Sequence, residues 1–181
     1  NNKLPFKINS SENITIFFPG STIGNFEKKD AVKFLKMLKS KFKAKKIIIG
    51  VDLVKDIPTL ISAYDDKKGI TAKFNKNILQ RINTELGGDI NLNSYKHLAI
   101  YNKPKKRIEM RLKSKKNNNI KINGSKYLIK KNEEIHTENS HKYTIRSFKN
   151  LTSEAGWIIK KTWVDDKKLF SVHCLHLDKL G

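Results

Sequence analysis

The chain has 181 residues, 38% of them hydrophobic and 9% aromatic, which is enough apolar surface to offset chain entropy over one domain or two small lobes and excludes a wholly disordered chain. Its 38 Lys and Arg against 17 Asp and Glu give a net charge of +21, a field that attracts polyanions. Yet the lysines are spread along the whole chain without aromatic interleaving, so nucleic acid is not the expected partner.

From the N-terminus, Asn1–Lys7 lacks the apolar core of a signal peptide and no run of about 18 apolar residues follows anywhere, so a cytoplasmic location without a membrane span is expected. ITIFF (14–18) reads as a buried strand entering the glycine-bearing loop PGSTIGNF. Val32, Phe34, Leu35, Leu38 and Phe42 then recur at helical spacing with lysines between them, which predicts an amphipathic helix. IIIGVD (47–52) is an all-apolar, β-branched run closing on an aspartate, the pattern of a parallel strand covered on both faces. Strand, helix, strand indicates an α/β sheet.

After Asp52 the character changes. Asp56 with Pro58 predicts the start of a helix carrying Leu60, Ile61 and Tyr64. A second helix follows, with Phe74, Ile78, Leu79, Ile82 and Leu86 as its apolar stripe and Gly87-Gly88 as its stop. Tyr95 to Ala99 reads as a short helix. From Arg107 the period becomes two: Ile108, Met110 and Leu112 form a buried face and Arg107, Glu109 and Arg111 a wet one. Asn123-Gly124 predicts a hairpin turn. Residues 144–155 read as a helix with Ile145, Phe148 and Leu151 inward, and WIIKKTWV and LFSVHCLHL as an antiparallel hairpin turning at Asp165-Asp166. Cys174, the single cysteine, reads as a small core residue. None of the five histidines has paired metal-ligand spacing, so no metal is expected, and His173 and His176 fall on opposite faces of their strand.

A nucleotide-binding α/β fold normally opens with a strand, a glycine-rich turn and a helix. Here the sheet is reached only at ITIFF, and GSTIG lacks both the GxGxxG spacing and a P-loop ending. The first strands of a doubly wound sheet are therefore expected to be missing.

FFPGSTIGNF, GVDLVKD, AYDDKKGITAKFNKN, ELGGD, RIEMRL and HTENSHKY occur in this order, and the series, from Ile14 onward, resembles the histidine N-alpha-methyltransferases of ergothioneine biosynthesis. The resemblance implies a partial class I methyltransferase, a Rossmann-like α/β sheet with an inserted α+β substrate-binding lobe. Residues 1–53 would be the second half of the sheet, 54–142 the lobe, and 143–181 the helix and antiparallel strands that complete the sheet. It implies stepwise methyl transfer from S-adenosylmethionine, the co-substrate, to the alpha-amine of L-histidine or a related amino acid. Gly20 and Asn25 would contribute to the amino-acid site, Tyr64 would join Asn25 in holding the carboxylate and amine, Met110 would pack on the side chain, and Glu138 and Ser140 would read the imidazole. No residue here matches the family's donor-binding turn, so the donor's ligands stay unknown and the piece alone is expected to bind it poorly.

Those residue types suit histidine recognition, because imidazole presents two nitrogens, and a carboxylate with a hydroxyl can bind both edges and select one tautomer. Taken singly, each residue has a plainer role: Asn25 as a helix cap, Tyr64 and Met110 as core, Glu138 to Ser140 as a turn. Other readings of the whole are a polyanion-binding module of the same fold that has lost activity, a recognition subunit completed by a separate chain, and a methyltransferase for another amino acid. A half-sheet would also expose an edge and an apolar face, which predicts self-association.

Overall fold

The computed structural model describes residues 13–178; residues 1–12 and 179–181, and with them the Asn1–Lys7 stretch read for a leader, lie outside the described residues. In chain order the elements are β1 (Thr15–Phe18), a 3-10 turn (Thr22–Asn25), α1 (Lys28–Ser40), β2 (Lys46–Asp52), α2 (Ile57–Tyr64), α3 (Ile70–Leu86), a 3-10 turn (Leu92–Ser94), β3 (Tyr95–Asn102), β4 (Arg107–Ser114), β5 (Asn118–Ile122), β6 (Ser125–Ile129), β7 (Glu134–His141), α4 (Ile145–Glu154), β8 (Trp157–Val164) and β9 (Phe170–Leu177). They divide into two compact units, one formed by the chain up to 54 and from 141 onward, the other by 55–140.

The first unit is α/β. Its sheet has the order β1-β2-β9-β8, with β1 parallel to β2 and the other pairs antiparallel. The apolar run 47–52 is thus parallel to a neighbour on one side only; on the other it meets the C-terminal hairpin. Ile47, Ile49 and Val51 are fully buried, whereas Ile48 is half-buried, so the two faces are not covered equally. The closed face carries the core: Val32, Leu35 and Leu38 of α1, Phe148 and Leu151 of α4, Trp157 and Leu175. The Trp157 indole N–H donates to the Leu35 carbonyl at 3.0 Å. Gly50 is the residue that fits its place in β2, because a Cβ there would overlap the Pro19 carbonyl oxygen. Helix α4 begins with a capping box between Thr144 and Ser147. Its Ile145, expected inward, is 39% exposed, and Cys174 is only partly buried.

On the buried side of β9 stands His173, fully enclosed, with Nδ1 2.9 Å from the Thr162 hydroxyl and Nε2 2.8 Å from that of Ser171. The Phe148 ring lies 4.7 Å away. Burial penalises the imidazolium and pushes its pKa down to about 4.

The second unit is α+β: a three-stranded sheet of order β3-β4-β7, the β5–β6 hairpin, and helices α2 and α3. Asp56 caps α2, accepting from the Thr59 N–H at 2.8 Å. Asp66 accepts from the Ile70 and Thr71 N–H groups at the start of α3, bonds that hold its carboxyl down at about 2. Gly87, in the left-handed region, ends α3, and the Asn123-Gly124 turn joins β5 to β6 as expected.

In this unit the structure departs from the sequence pattern at four places. Tyr95–Ala99 is not a helix but the first part of β3, where fully buried Tyr95 and buried His97 alternate with Lys96; three ring side chains in YKHLAIY favour the pleated surface. The wet face of β4 is not wet at its start. Arg107 and Glu109 are 4% and 3% exposed, and Glu109 accepts from Arg107, Arg111 and Asn102. Burial alone raises the Glu109 pKa, but these donors outweigh it and bring it down to about 2. The α3 stripe is narrower than its periodicity implies, since Leu79 is buried but Phe74, Ile78 and Leu86 are 65%, 45% and 51% exposed. Finally, Glu138, Asn139 and Ser140 are not a turn but lie within β7.

Candidate functional site

In the first unit the loop after β1 sits where ligands gather in open α/β sheets, beyond the carboxyl ends of parallel strands. Ser21 has φ 56°, and its hydroxyl accepts the Asp52 N–H at 2.8 Å, tying the loop to the end of β2. Asp52 also pairs with Lys142 at 2.7 Å, the lysine side chain being completely enclosed. Gly24 is closed against the chain, for a Cβ there would meet the His141 carbonyl oxygen at 2.8 Å. Gly20 is open: the nearest atom to an added Cβ is the Thr22 hydroxyl at 3.8 Å. Asn25 closes the 3-10 turn and does not cap α1, whose N-cap position is Glu27.

Two features of this loop depart from a nucleotide cradle. Its left-handed residue is a serine bonded to the fold itself, and its tightest glycine is filled by protein backbone. Ser21 and Gly24 are therefore not assigned to S-adenosylmethionine.

In the second unit the structure brings Tyr64 and Ser140 together. Tyr64 is the last residue of α2, Ser140 lies near the end of β7, and their hydroxyls are 2.7 Å apart across 76 positions of sequence. Met110, 3% exposed, packs with Leu60 and Ile108 in a cluster that Tyr64 also touches. Glu138 lines a depression of about 200 Å³ with Thr137 of β7 and Phe74, Asn75, Ile78 and Arg81 of α3.

Behind these residues lies a polar chain that pattern reading misses. Asn75, 4% exposed in the middle of α3, has its amide nitrogen 2.9 Å from His97 Nδ1 and 3.2 Å from the Arg111 carbonyl. The Thr137 hydroxyl is 2.6 Å from the Asn75 side-chain oxygen and 2.9 Å from the Met110 carbonyl. His97 Nε2 stands 2.8 Å from the Tyr64 carbonyl. The one sequence signal for it is the asparagine at Asn75, a position after Phe74 inside an apolar-periodic helix.

Known proteins similar to this chain include methyltransferases of two substrate classes. The chain is 34% identical over 153 residues to a histidine N-alpha-methyltransferase of Mycolicibacterium smegmatis, covering 83% of this chain and 48% of that protein. It is 34% identical over 152 residues to the histidine N-alpha-methyltransferase of Mycobacterium tuberculosis, covering 82% and 47%. It is 29% identical over 158 residues to an L-tryptophan methyltransferase of Psilocybe serbica, covering 85% and 44%. The chain spans about half the length of these relatives. Residues 2–177 match the family described as histidine-specific, SAM-dependent methyltransferases, and the chain belongs to that family.

Proposed function

We propose that this chain is the amino-acid-recognising part of a methyltransferase that moves methyl groups from S-adenosylmethionine to the alpha-amine of L-histidine, in the manner the ergothioneine pathway requires. The observation that carries this reading is the 2.7 Å contact between Tyr64 and Ser140, which joins the AYDD and TENS motifs in one unit. In this proposal Gly20 and Asn25 serve the amino acid's carboxylate and amine, with Tyr64. Met110 supports its side chain, and Glu138 and Ser140 address the imidazole. The donor supplies an electrophilic methyl group; this chain orients the amine, in its neutral form, along the line of displacement. The open Gly20 supports close approach of a ligand to backbone.

The test is selectivity. In a protein that supplies the relatives' remaining length, Glu138→Ala should lower the preference for histidine over tryptophan by about 10- to 150-fold, the worth of one charge-assisted hydrogen bond, with donor affinity unchanged. Histidine preference left intact beside weakened donor binding would refute the assignment. The tryptophan-acting relative supports a second reading, another amino acid as substrate, and the same assay decides between them.

The remaining parts of the proposal concern setting. No helix among the described residues is long and apolar enough to cross a membrane, and a single free cysteine suits a reducing cytoplasm. Self-association is supported by β1, an edge strand among the described residues whose Phe17 is 71% exposed. Light scattering should show mass rising with concentration; a monodisperse monomer at high concentration would count against it.

A further inference from the structure

We propose that Thr137, Asn75 and His97 are positioning residues: a buried relay that locks the end of helix α2, with Tyr64, to strand β7, with Glu138 and Ser140. The inference deepens the proposed function and rests on it. The Tyr64 carbonyl can only accept, so His97 Nε2 carries the hydrogen and donates to it at 2.8 Å. In the neutral ring Nδ1 is then an acceptor, so the Asn75 group facing it at 2.9 Å is the amide N–H, which also faces the Arg111 carbonyl at 3.2 Å. The Asn75 oxygen consequently faces Thr137, whose single hydroxyl proton serves two acceptors, that oxygen at 2.6 Å and the Met110 carbonyl at 2.9 Å. The ring and amide orientations follow one from the other, so neither the His97 ring nor the Asn75 amide can flip alone, while the Thr137 proton has an acceptor in either position.

The relay's ends make it more than packing. The last carbonyls of a helix have no partner within it, and Tyr64 closes α2, so His97 satisfies one of these groups on the very residue whose hydroxyl meets Ser140. At the other end, Thr137 immediately precedes Glu138. A side chain one residue along from a fixed one inherits its placement, and about an ångström of misplacement is enough to damage a reaction that depends on alignment. Asn75 is also the sole polar residue among those of α3 that are buried, where an amide without bonds would be costly.

The experiment uses Thr137→Val, which keeps the shape and removes the hydroxyl, and Thr137→Ser, which keeps the hydroxyl. In a methyl-transferring protein containing this chain, Thr137→Val should raise KM for the amino acid about 10-fold or more, leave KM for the donor within about twofold, and leave the circular dichroism spectrum unchanged. Thr137→Ser should restore the amino-acid KM to within about twofold. An unchanged amino-acid KM, a parallel rise in both KM values, or failure of serine to rescue overturns the proposal. On the unaltered chain, nitrogen-15 NMR should find His97 as the Nε2–H tautomer, and the Nδ1–H tautomer overturns it too. The substrate assignment fails separately: if tryptophan or another amino acid is the better substrate, the KM split is read on that amino acid while the tautomer stands as measured.

Discussion

Trp157→Ala is expected to destabilise the chain by about 3–5 kcal/mol and to lower its thermal midpoint by about 6–20 °C, as suits a chain of this size. The indole is fully buried among residues of α1, α4 and β2, so its removal leaves a void that rigid sheet and helix backbones cannot close. It also strips the Leu35 carbonyl of a donor inside the core. Trp157→Phe separates the two effects, since it fills most of the volume and loses the hydrogen bond, worth about 1 kcal/mol. Thermal melting followed by circular dichroism reads both variants. A loss under about 1 kcal/mol for Trp157→Ala would mean that the indole is not part of the core.

Acid should unfold the chain through His173 before it does so through the carboxylates. His173 is neutral when folded, with a pKa of about 4 against 6.5 for the free side chain. Between those values the unfolded chain binds the proton and the folded chain does not, so stability falls as pH falls through 6.5 and stops falling, for this residue, below about 4. Two and a half pH units correspond to about 3 kcal/mol. Glu109 acts later: its pKa, 4.5 when free and about 2 when folded, makes it stabilising above 4.5 and costs that stabilisation as pH falls through 2. Denaturant midpoints measured from pH 7 to pH 4 should therefore decline in the wild-type chain, and less steeply in His173→Gln, which keeps polar atoms for Thr162 and Ser171. Equal slopes in the two would sink the assignment.

Periodicity finds the elements whose burial is decided by apolar side chains. α1, α2 and the buried face of β2 follow it, because there the residues that pack are the residues that a hydrophobic pattern counts; the β5–β6 hairpin is legible from its Asn123-Gly124 turn instead, since Tyr127 and Leu128 stay half exposed. Periodicity fails where polar groups are buried by bonding to one another. Arg107 and Glu109 are charged, yet enclosed with mutual hydrogen bonds, and no alternation rule can anticipate a partner. Strand β7, EIHTENSH, has a single large aliphatic residue and so offers no apolar alternation to read. At Tyr95–Ala99 helical and strand spacings coincide, because the stretch is too short for the two periods to diverge.

For the candidate site the balance is different. That Tyr64 and Ser140 meet could not be reached from local spacing, since α3 and strands β3 to β6 lie between them in sequence; the motif series resembling a known family is what joins them. Of the relay, only Asn75, a polar residue inside an apolar-periodic helix, leaves a trace in the sequence. The relay's members are ordinary residues whose importance lies in mutual geometry, which only a folded chain possesses.

The split of the first unit across the sequence bears on how the chain folds. Strand β2 pairs with β9, so residues 46–52 must find 170–177 after all of 55–140 has been made. Closing so long a loop delays the contacts that reward it, and sheets built from distant strands form slowly. Residues 55–140, contiguous in sequence and holding their own clusters around Tyr95 and Ile108, can collapse at once. Their early collapse would draw the two ends of the loop together, making the inserted unit a folding clamp for the sheet that surrounds it in sequence.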